Sequence, residues 1–165
     1  MKKAPEDFQR PELNLADRLM VFVATGFGAG YSPIAPGTAG TLVAVPLFLA
    51  LARLDPWLQA LTTLAFVGLA IHAANRAWHY FGASDDQRIV SDEIAGYFVT
   101  MLLVTPTLKT VVAGFVLFRA LDILKPWPAS YFDKKVHNGL GNVMDDVAAA
   151  LWGRALMALL VWSWP

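Results

Sequence analysis

Five acidic side chains lie where apolar stretches of the sequence begin or end. They fall in the segments SDEIAG, FRALDILKP and NVMDDVAA. Carboxylate oxygens are hard ligands of the kind that Mg²⁺ takes in proteins, together with several waters and a substrate phosphate. Five such groups near one another would repel unless a cation neutralised them. The pattern therefore predicts a Mg²⁺ site held by some subset of Asp92, Glu93, Asp122, Asp145 and Asp146.

Two basic residues flank one of these acids. Arg119 precedes Asp122 by three residues and Lys125 follows it by three, so the three side chains would lie on adjacent helical turns. A guanidinium and an ammonium group beside a metal could bind an anion and stabilise charge on a phosphoryl group. Plainer interpretations stay open, because acids are common in the first turn of a helix and Arg119 could form a simple ion pair with Asp122. We favour a shared site because the topology predicted below brings all three acidic segments to one face.

A neutral loop rich in glycine, proline and hydroxyl groups runs from Gly30 to Leu42, with the sequence GYSPIAPGTAGTL. Exposed backbone amides are costly in lipid, so this composition within an apolar region indicates a function. Backbone N–H groups ahead of a helix bind phosphate without a positive side chain. We expect phosphate-binding groups at Ser32, Gly37, Thr38 and Thr41, and a simple helix connector is the alternative.

The composition indicates an integral membrane protein. Of the 165 residues, 56% are hydrophobic and 16% are charged, compared with about 25% charged residues in soluble domains. The 13 basic and 13 acidic residues balance, which gives no sign of a nucleic-acid partner. The absence of cysteine excludes a thiolate nucleophile. Residues 19–52 and 56–75 carry no charge, and a span of about 20 apolar residues crosses a bilayer.

We therefore predict an all-α fold, a polytopic integral membrane helical bundle with an interfacial N-terminal helix and a broken or re-entrant helix hairpin. Residues 1–18 would form a polar N-terminal tail, and residues 19–165 a single membrane-embedded catalytic domain. The hairpin follows from an apolar stretch that is too short to span the bilayer and is interrupted by TPT at 105–107. The predicted helices are 13–29, 41–54, 57–78, 94–104, 108–124 and 147–162.

The positive charges predict the orientation of this bundle. Lysine and arginine concentrate in the N-terminal tail and in two long loops, whereas Arg53 and Lys109 lie in short turns. The positive-inside rule places the tail and the long loops in the cytoplasm. The same topology brings the glycine-rich loop and all three acidic segments to the cytoplasmic membrane face.

Four segments, in this order, resemble the phosphatidylglycerophosphatase A family: GFGAGYSPIAPGTAGTL, SDEIAGYF, FVLFRALDILKPWP and GLGNVMDDVAA. The resemblance covers the chain from Phe22 to Trp152, and Thr41 stands where relatives often carry serine. It implies a Mg²⁺-dependent, multi-pass enzyme of the bacterial inner membrane. Such an enzyme removes the terminal phosphate of phosphatidylglycerophosphate and leaves phosphatidylglycerol and inorganic phosphate.

The resemblance and the acidic residues together suggest that water attacks phosphorus with the assistance of Mg²⁺. Glu93 or Asp146 is the candidate base, and Arg119 and Lys125 would stabilise the developing charge. The expected partners are the lipid substrate and membrane lipids, with no nucleic acid, and the oligomeric state stays open. A cation-binding membrane transporter or channel without phosphatase activity is the main alternative. A non-catalytic scaffold and a phospholipid phosphotransferase are further ones.

Overall fold

The computed structural model describes residues 8–83 and 86–164. These residues form seven α-helices and no β-strand, which confirms the all-α prediction. A short 3₁₀ turn, Ala29–Tyr31, precedes the second helix. The helices are α1 (Leu15–Ala24), α2 (Pro36–Leu51), α3 (Pro56–Phe81), α4 (Ser91–Thr100), α5 (Leu108–Leu124), α6 (Ala129–Lys135) and α7 (Gly139–Ser163).

Helices α4 and α7 form the centre of the bundle. α7 packs against α3, α4, α5 and α6, and α4 also packs against α2 and α3. Although α4 has only ten residues, eight of them are buried, because the longer helices surround it. Its Tyr97 makes an edge-to-face contact with Phe48 of α2, and Phe118 of α5 joins the same apolar cluster. This packing fixes the position of the first turn of α4.

Four helices begin earlier than the sequence predicts, α3 by one residue, α4 by three, and α2 and α7 by more. α2 begins at Pro36, five residues early, because proline suits the first turn of a helix, where no N–H donor is required. α7 begins at Gly139, eight residues early, because the side chain of Asn138 caps its N-terminus. The shift places Asp145 and Asp146 in the second turn of α7 instead of ahead of it. The short helix α6 lies in a stretch that the sequence predicts as a loop.

The predicted break between α4 and α5 is present. α4 ends at Thr100, residues 101–107 are irregular, and α5 spans 108–124 as predicted. Thr107 and Thr110 cap α5 through reciprocal hydrogen bonds between side chains and backbone. The acidic start of α4 and the acidic end of α5 therefore lie at the same end of this hairpin.

One helix of the described residues, α3, is long and apolar enough to cross a membrane. Only 28% of its most apolar 18-residue window is buried inside the protein, so most of that window faces outward. α2 is also apolar but shorter. α1 begins inside the predicted tail and exposes Leu15, Leu19 and Phe22. These outward apolar faces agree with membrane association, while the number of crossings stays a prediction.

The close packing of α4 depends on Gly96. A Cβ atom at this position would collide with the ring of the buried Phe118 and lie 3.3 Å from the backbone oxygen of Asp146. We expect Gly96→Ala to destabilise the protein by roughly 1–3 kcal/mol, because a packed core does not accept an added methyl group. Thermal unfolding of the purified protein in detergent measures this loss.

Gly68→Ala is the matched control. Gly68 lies in α3, and an added Cβ would have nothing within 4 Å. Alanine stabilises a helix interior by about 0.5–1 kcal/mol relative to glycine, so this variant should unfold at or slightly above the wild-type temperature. Equal losses in the two variants would show that the effect at Gly96 does not come from its close contacts.

Candidate active site

One open cavity of about 300 Å³ collects most of the residues that the sequence singles out. It lies where the first turns of α2 and α4, the second turn of α7 and the C-terminal end of α5 meet. Four segments that are distant in the chain thus contribute to one site. The predicted residues that line it are Gly37, Asp92, Glu93, Arg119, Asp122, Lys125, Asp145 and Asp146.

Three carboxylates form a compact group in this cavity. Asp92, Glu93 and Asp146 each offer one oxygen, and these oxygens lie within 4.8 Å of one another. Asp92 and Glu93 begin α4, and Asp146 reaches them from α7 because Gly96 lets the two helices approach closely. Oε2 of Glu93 is buried without a hydrogen-bond partner among the described residues. Three hard oxygen donors and one orphaned carboxylate oxygen fit a divalent cation such as Mg²⁺.

Arg119 and Lys125 pair with the two remaining acids. Nη1 of Arg119 donates to Oδ2 of Asp122 over 2.7 Å. Nζ of Lys125 forms an ion pair with Asp145 and a second one, at 3.2 Å, with Asp133 outside the cavity lining. Burial alone would lower the pKa of Lys125, but the charge of Asp145 raises it above its ordinary value. Acidic partners therefore hold both basic side chains at the cavity wall.

Burial and mutual repulsion weaken the acidity of the carboxylate group. Burial raises the pKa of Glu93 to about 7, and the charges of Asp146 and Asp122 add to this effect. A hydrogen bond with Asp92 and the charge of Arg119, whose Nη1 lies 3.7 Å from Oε1, oppose it. Burial and the charge of Glu93 likewise raise the pKa of Asp92 well above its usual range. A bound cation would supply the positive charge that these acids lack.

The structure does not bring the predicted hydroxyl groups into the cavity. Ser32 and Thr41 donate to nearby backbone oxygens, each over 2.9 Å, and Thr38 is not among the lining residues. Because α2 begins early, Thr41 falls in its second turn, where its side chain is buried. Gly37 does line the cavity, where a Cβ atom would collide with the carboxylate of Glu93. The helix N-terminus thus contributes backbone, and not hydroxyls, to the site.

Asn142 is a site residue that the sequence analysis missed. Its Nδ2 donates to Oδ2 of Asp92 over 3.4 Å, and the residue lines the cavity. It lies four residues before Asp146, so the two share one face of α7. This spacing indicates a shared helix face only if α7 begins before residue 142, and the sequence analysis predicted a start at 147. Asp86 and Gln87, from the loop before α4, also line the cavity and were not predicted.

In this all-helical fold, carboxylates that could hold a cation meet an arginine and a lysine that could bind an anion, an arrangement of the kind that phosphoryl-transfer proteins use. The comparison with known families is more specific. The family described as Phosphatidylglycerophosphatase A matches residues 22–161. The chain therefore belongs to the phosphatidylglycerophosphatase A family, which confirms the resemblance seen in its four segments.

Three curated relatives cover most of the chain. Phosphatidylglycerophosphatase A of Escherichia coli is 37% identical over 145 residues, which are 87% of this chain and 84% of that protein. Phosphatidylglycerophosphatase A of Haemophilus influenzae is 39% identical over 136 residues, 79% of this chain and 81% of that one. A Bacteroides thetaiotaomicron protein, whose name proposes a phosphatidylinositol-3-phosphatase, is 38% identical over 155 residues, 87% and 94% of the two chains. No solved structure matches significantly.

Asp146→Asn tests whether the carboxylate group needs a cation. Asp146 is 4% exposed, and the charges that act on it most strongly are those of Asp122, Asp92 and Asp145. Removing its charge should raise the unfolding temperature of the metal-free protein by a few degrees, because like charges repel strongly in the low-dielectric interior of a protein. The variant should also lose the additional stabilisation that Mg²⁺ gives the wild type. Thermal unfolding with EDTA or with excess Mg²⁺ measures both effects.

Asp133→Asn is the control for this experiment. Asp133 contacts Lys125 but does not line the cavity, so its removal should leave the response to Mg²⁺ intact. A Mg²⁺ response of wild-type size in Asp146→Asn would contradict a cation held by this carboxylate group.

Proposed function

We propose that this protein hydrolyses the terminal phosphomonoester of phosphatidylglycerophosphate and releases phosphatidylglycerol and inorganic phosphate. Membership of the family supports the substrate, as do the relatives named for this activity in Escherichia coli and Haemophilus influenzae. The observation that carries the chemistry is the meeting of three carboxylates with Arg119 and Lys125 in one cavity.

Mg²⁺ is the proposed cofactor, with Asp92, Glu93 and Asp146 as its ligands. The support for it is the number of hard oxygen donors and the orphaned Oε2 of Glu93. When bound, the cation would neutralise phosphate oxygens and favour displacement at phosphorus. Asn142 would hold Asp92 in the orientation that this ligand set requires.

Arg119 and Lys125 are the proposed phosphate-binding side chains. The sequence analysis also named Asp122 and Asp145 as candidate metal ligands. In this proposal they orient the side chains of Arg119 and Lys125 instead. A guanidinium has five N–H donors, so the bond to Asp122 leaves others for the substrate. Gly37 lies at the N-terminus of α2, where backbone N–H groups lack partners within the helix. Together these donors would stabilise the charge that develops on the phosphate oxygens.

Glu93 is the proposed general base, and Asp146 is the second candidate. Water attacks phosphorus, a new P–O bond forms, and the ester bond between phosphorus and the glycerol oxygen breaks. The carboxylate oxygen of Glu93 that does not hold the cation would accept the proton that the water loses. The glycerol oxygen leaves with the electron pair of the broken bond and takes up a proton from solvent water in the open cavity.

The proposed location is the bacterial inner membrane, with several crossings and with the cavity facing the cytoplasm. α3, the apolar outer faces and the concentration of lysine and arginine near the cavity support this arrangement. α1 would lie at the membrane interface, and α4 with residues 101–107 would form the re-entrant half of the hairpin. Residues 19–165 would be the membrane-embedded catalytic domain and residues 1–18 the tail. The acyl chains of the substrate could then stay in the bilayer while its headgroup enters the cavity.

Single cysteines test this orientation, since the sequence has none of its own. Lys134 on α6 and Arg53 between α2 and α3 are both exposed, and the proposal places them on opposite sides of the membrane. In sealed spheroplasts a membrane-impermeant maleimide should label Arg53→Cys and spare Lys134→Cys. Permeabilised membranes, in which both should react, serve as the control. Labelling of Lys134→Cys in sealed spheroplasts would contradict a cytoplasmic cavity.

Phosphate release from phosphatidylglycerophosphate tests the activity. Asp92→Asn and Glu93→Gln should each lower kcat roughly 10²–10³-fold, as the loss of a group that acts on the transition state does in other enzymes. EDTA should abolish the activity of the wild type and Mg²⁺ should restore it. Asp133→Asn should keep nearly wild-type activity, because its side chain lies outside the cavity lining.

The Mg²⁺ dependence separates the proposed roles. Glu93→Gln should increase the Mg²⁺ concentration that gives half-maximal rate, whereas Asp122→Asn should lower the rate with little change in that concentration. EDTA-resistant turnover would contradict the cofactor, and full activity in both variants would contradict the site. Parallel assays with phosphatidylinositol 3-phosphate examine the substrate named for the Bacteroides relative. Ion flux in liposomes without phosphate release would support the transporter alternative.

A further inference from the structure

A second cavity, of about 290 Å³, lies at the other end of α4. The carboxylates begin α4, whereas this cavity lies beyond its C-terminal end, between the irregular segment 101–107 and α7. The two cavities share no lining residue. The second one is therefore separate from the candidate active site. It is lined by Leu103, Val104, Thr105, Arg154, Met157, Ala158, Val161 and Trp162.

Arg154 is the one charged residue in this lining. It follows Asp146 by eight residues, which corresponds to about 12 Å along the axis of α7. Within 8–83 and 86–164 its guanidinium forms no ion pair with an acidic residue. A cation among apolar helices is costly unless an anion or water compensates it. Since Arg154 is only partly buried, either water or an anion from outside the described residues compensates this guanidinium.

The remaining wall of the cavity suits hydrocarbon. Met157 and Val104 are buried in it, while Leu103, Val161 and Trp162 are exposed to the surroundings of the protein. A tryptophan at a helix end is typical of the boundary between acyl chains and headgroups. The cavity thus combines one uncompensated positive charge with an apolar surface that continues to the outside of the bundle.

We propose that this cavity binds an anionic membrane phospholipid, with its phosphate on Arg154 and its hydrocarbon against the apolar wall. Charge complementarity argues for a lipid with net negative charge, because nothing described near Arg154 offsets its charge, whereas a zwitterionic lipid brings a cation of its own. The hydroxyl of Thr105 offers the phosphate a further donor. The proposal rests on membrane embedding and does not require the phosphatase activity.

Thermal unfolding of the purified chain in neutral detergent tests the proposal, with phosphatidylglycerol or phosphatidylcholine added to the micelles. Phosphatidylglycerol should raise the wild-type unfolding temperature by several degrees, and phosphatidylcholine should raise it clearly less, because a ligand that binds the folded state stabilises it. Arg154→Gln should lose most of the difference between the two lipids. Arg119→Gln should keep it, which separates this cavity from the first one.

A second pair of variants leaves Arg154 in place. Ala158 lines the cavity, so Ala158→Phe should fill it and remove the effect of phosphatidylglycerol. Ala155, which is exposed on the same helix and does not line the cavity, gives the control Ala155→Phe, and this variant should keep the effect. If Arg154→Gln does not fold, the comparison of Ala158→Phe with Ala155→Phe tests the proposal by itself. An undiminished effect in Ala158→Phe, or equal effects of the two lipids on the wild type, would overturn the proposal.

Discussion

Repulsion among buried carboxylates is the constraint on which this structure depends. Asp92, Glu93 and Asp146 offer oxygens within 4.8 Å of one another, and Asp122 and Asp145 line the same cavity. In the low-dielectric interior of a protein, such an arrangement is unstable unless positively charged groups lie beside it. Arg119 and Lys125 supply part of that positive charge. The orphaned Oε2 of Glu93 marks the place where further positive charge is needed. The same excess of negative charge that weakens the fold is what would attract a divalent cation. The bound cation, together with Arg119 and Lys125, would then attract a phosphate.

Close helix contacts make this crowding possible. Gly96 lets α4 lie against α5 and α7, and Gly37 lets the N-terminus of α2 approach Glu93 and Arg119. Side chains at these positions would push the helices apart and separate the acids. Asn142 then bridges α7 to Asp92 with an amide, which adds no charge to a site that already holds too much of one sign. The site is thus built mainly from the packing of helix ends, to which the loop before α4 adds Asp86 and Gln87.

Helix α7 connects the two polar regions of an otherwise apolar bundle. Its second turn carries Asp145 and Asp146 toward the first cavity, and two turns further on it presents Arg154 to the second. Asp145 forms an ion pair with Lys125 at the C-terminal end of α5, whereas Asp146 and Arg154 form no ion pair among the described residues. The ionisable residues of one apolar helix therefore have different explanations. Lys125 compensates Asp145, a bound cation would compensate Asp146, and an anion from the membrane would compensate Arg154.

The sequence by itself determined the helical class, the break after α4, the family and eight of the residues that meet in one cavity. Apolar stretches, charge positions and the three acidic segments are properties of the linear chain, so they can be identified from the sequence without the structure. Only the tertiary structure decided how the five acids divide between the group of three carboxylates that could hold a cation and the partners of Arg119 and Lys125. It also decided that Thr41 points into α2 and that Asn142 belongs to the site. The reason is that a side chain's partner depends on helix starts and on contacts between distant segments, and local spacing does not encode these.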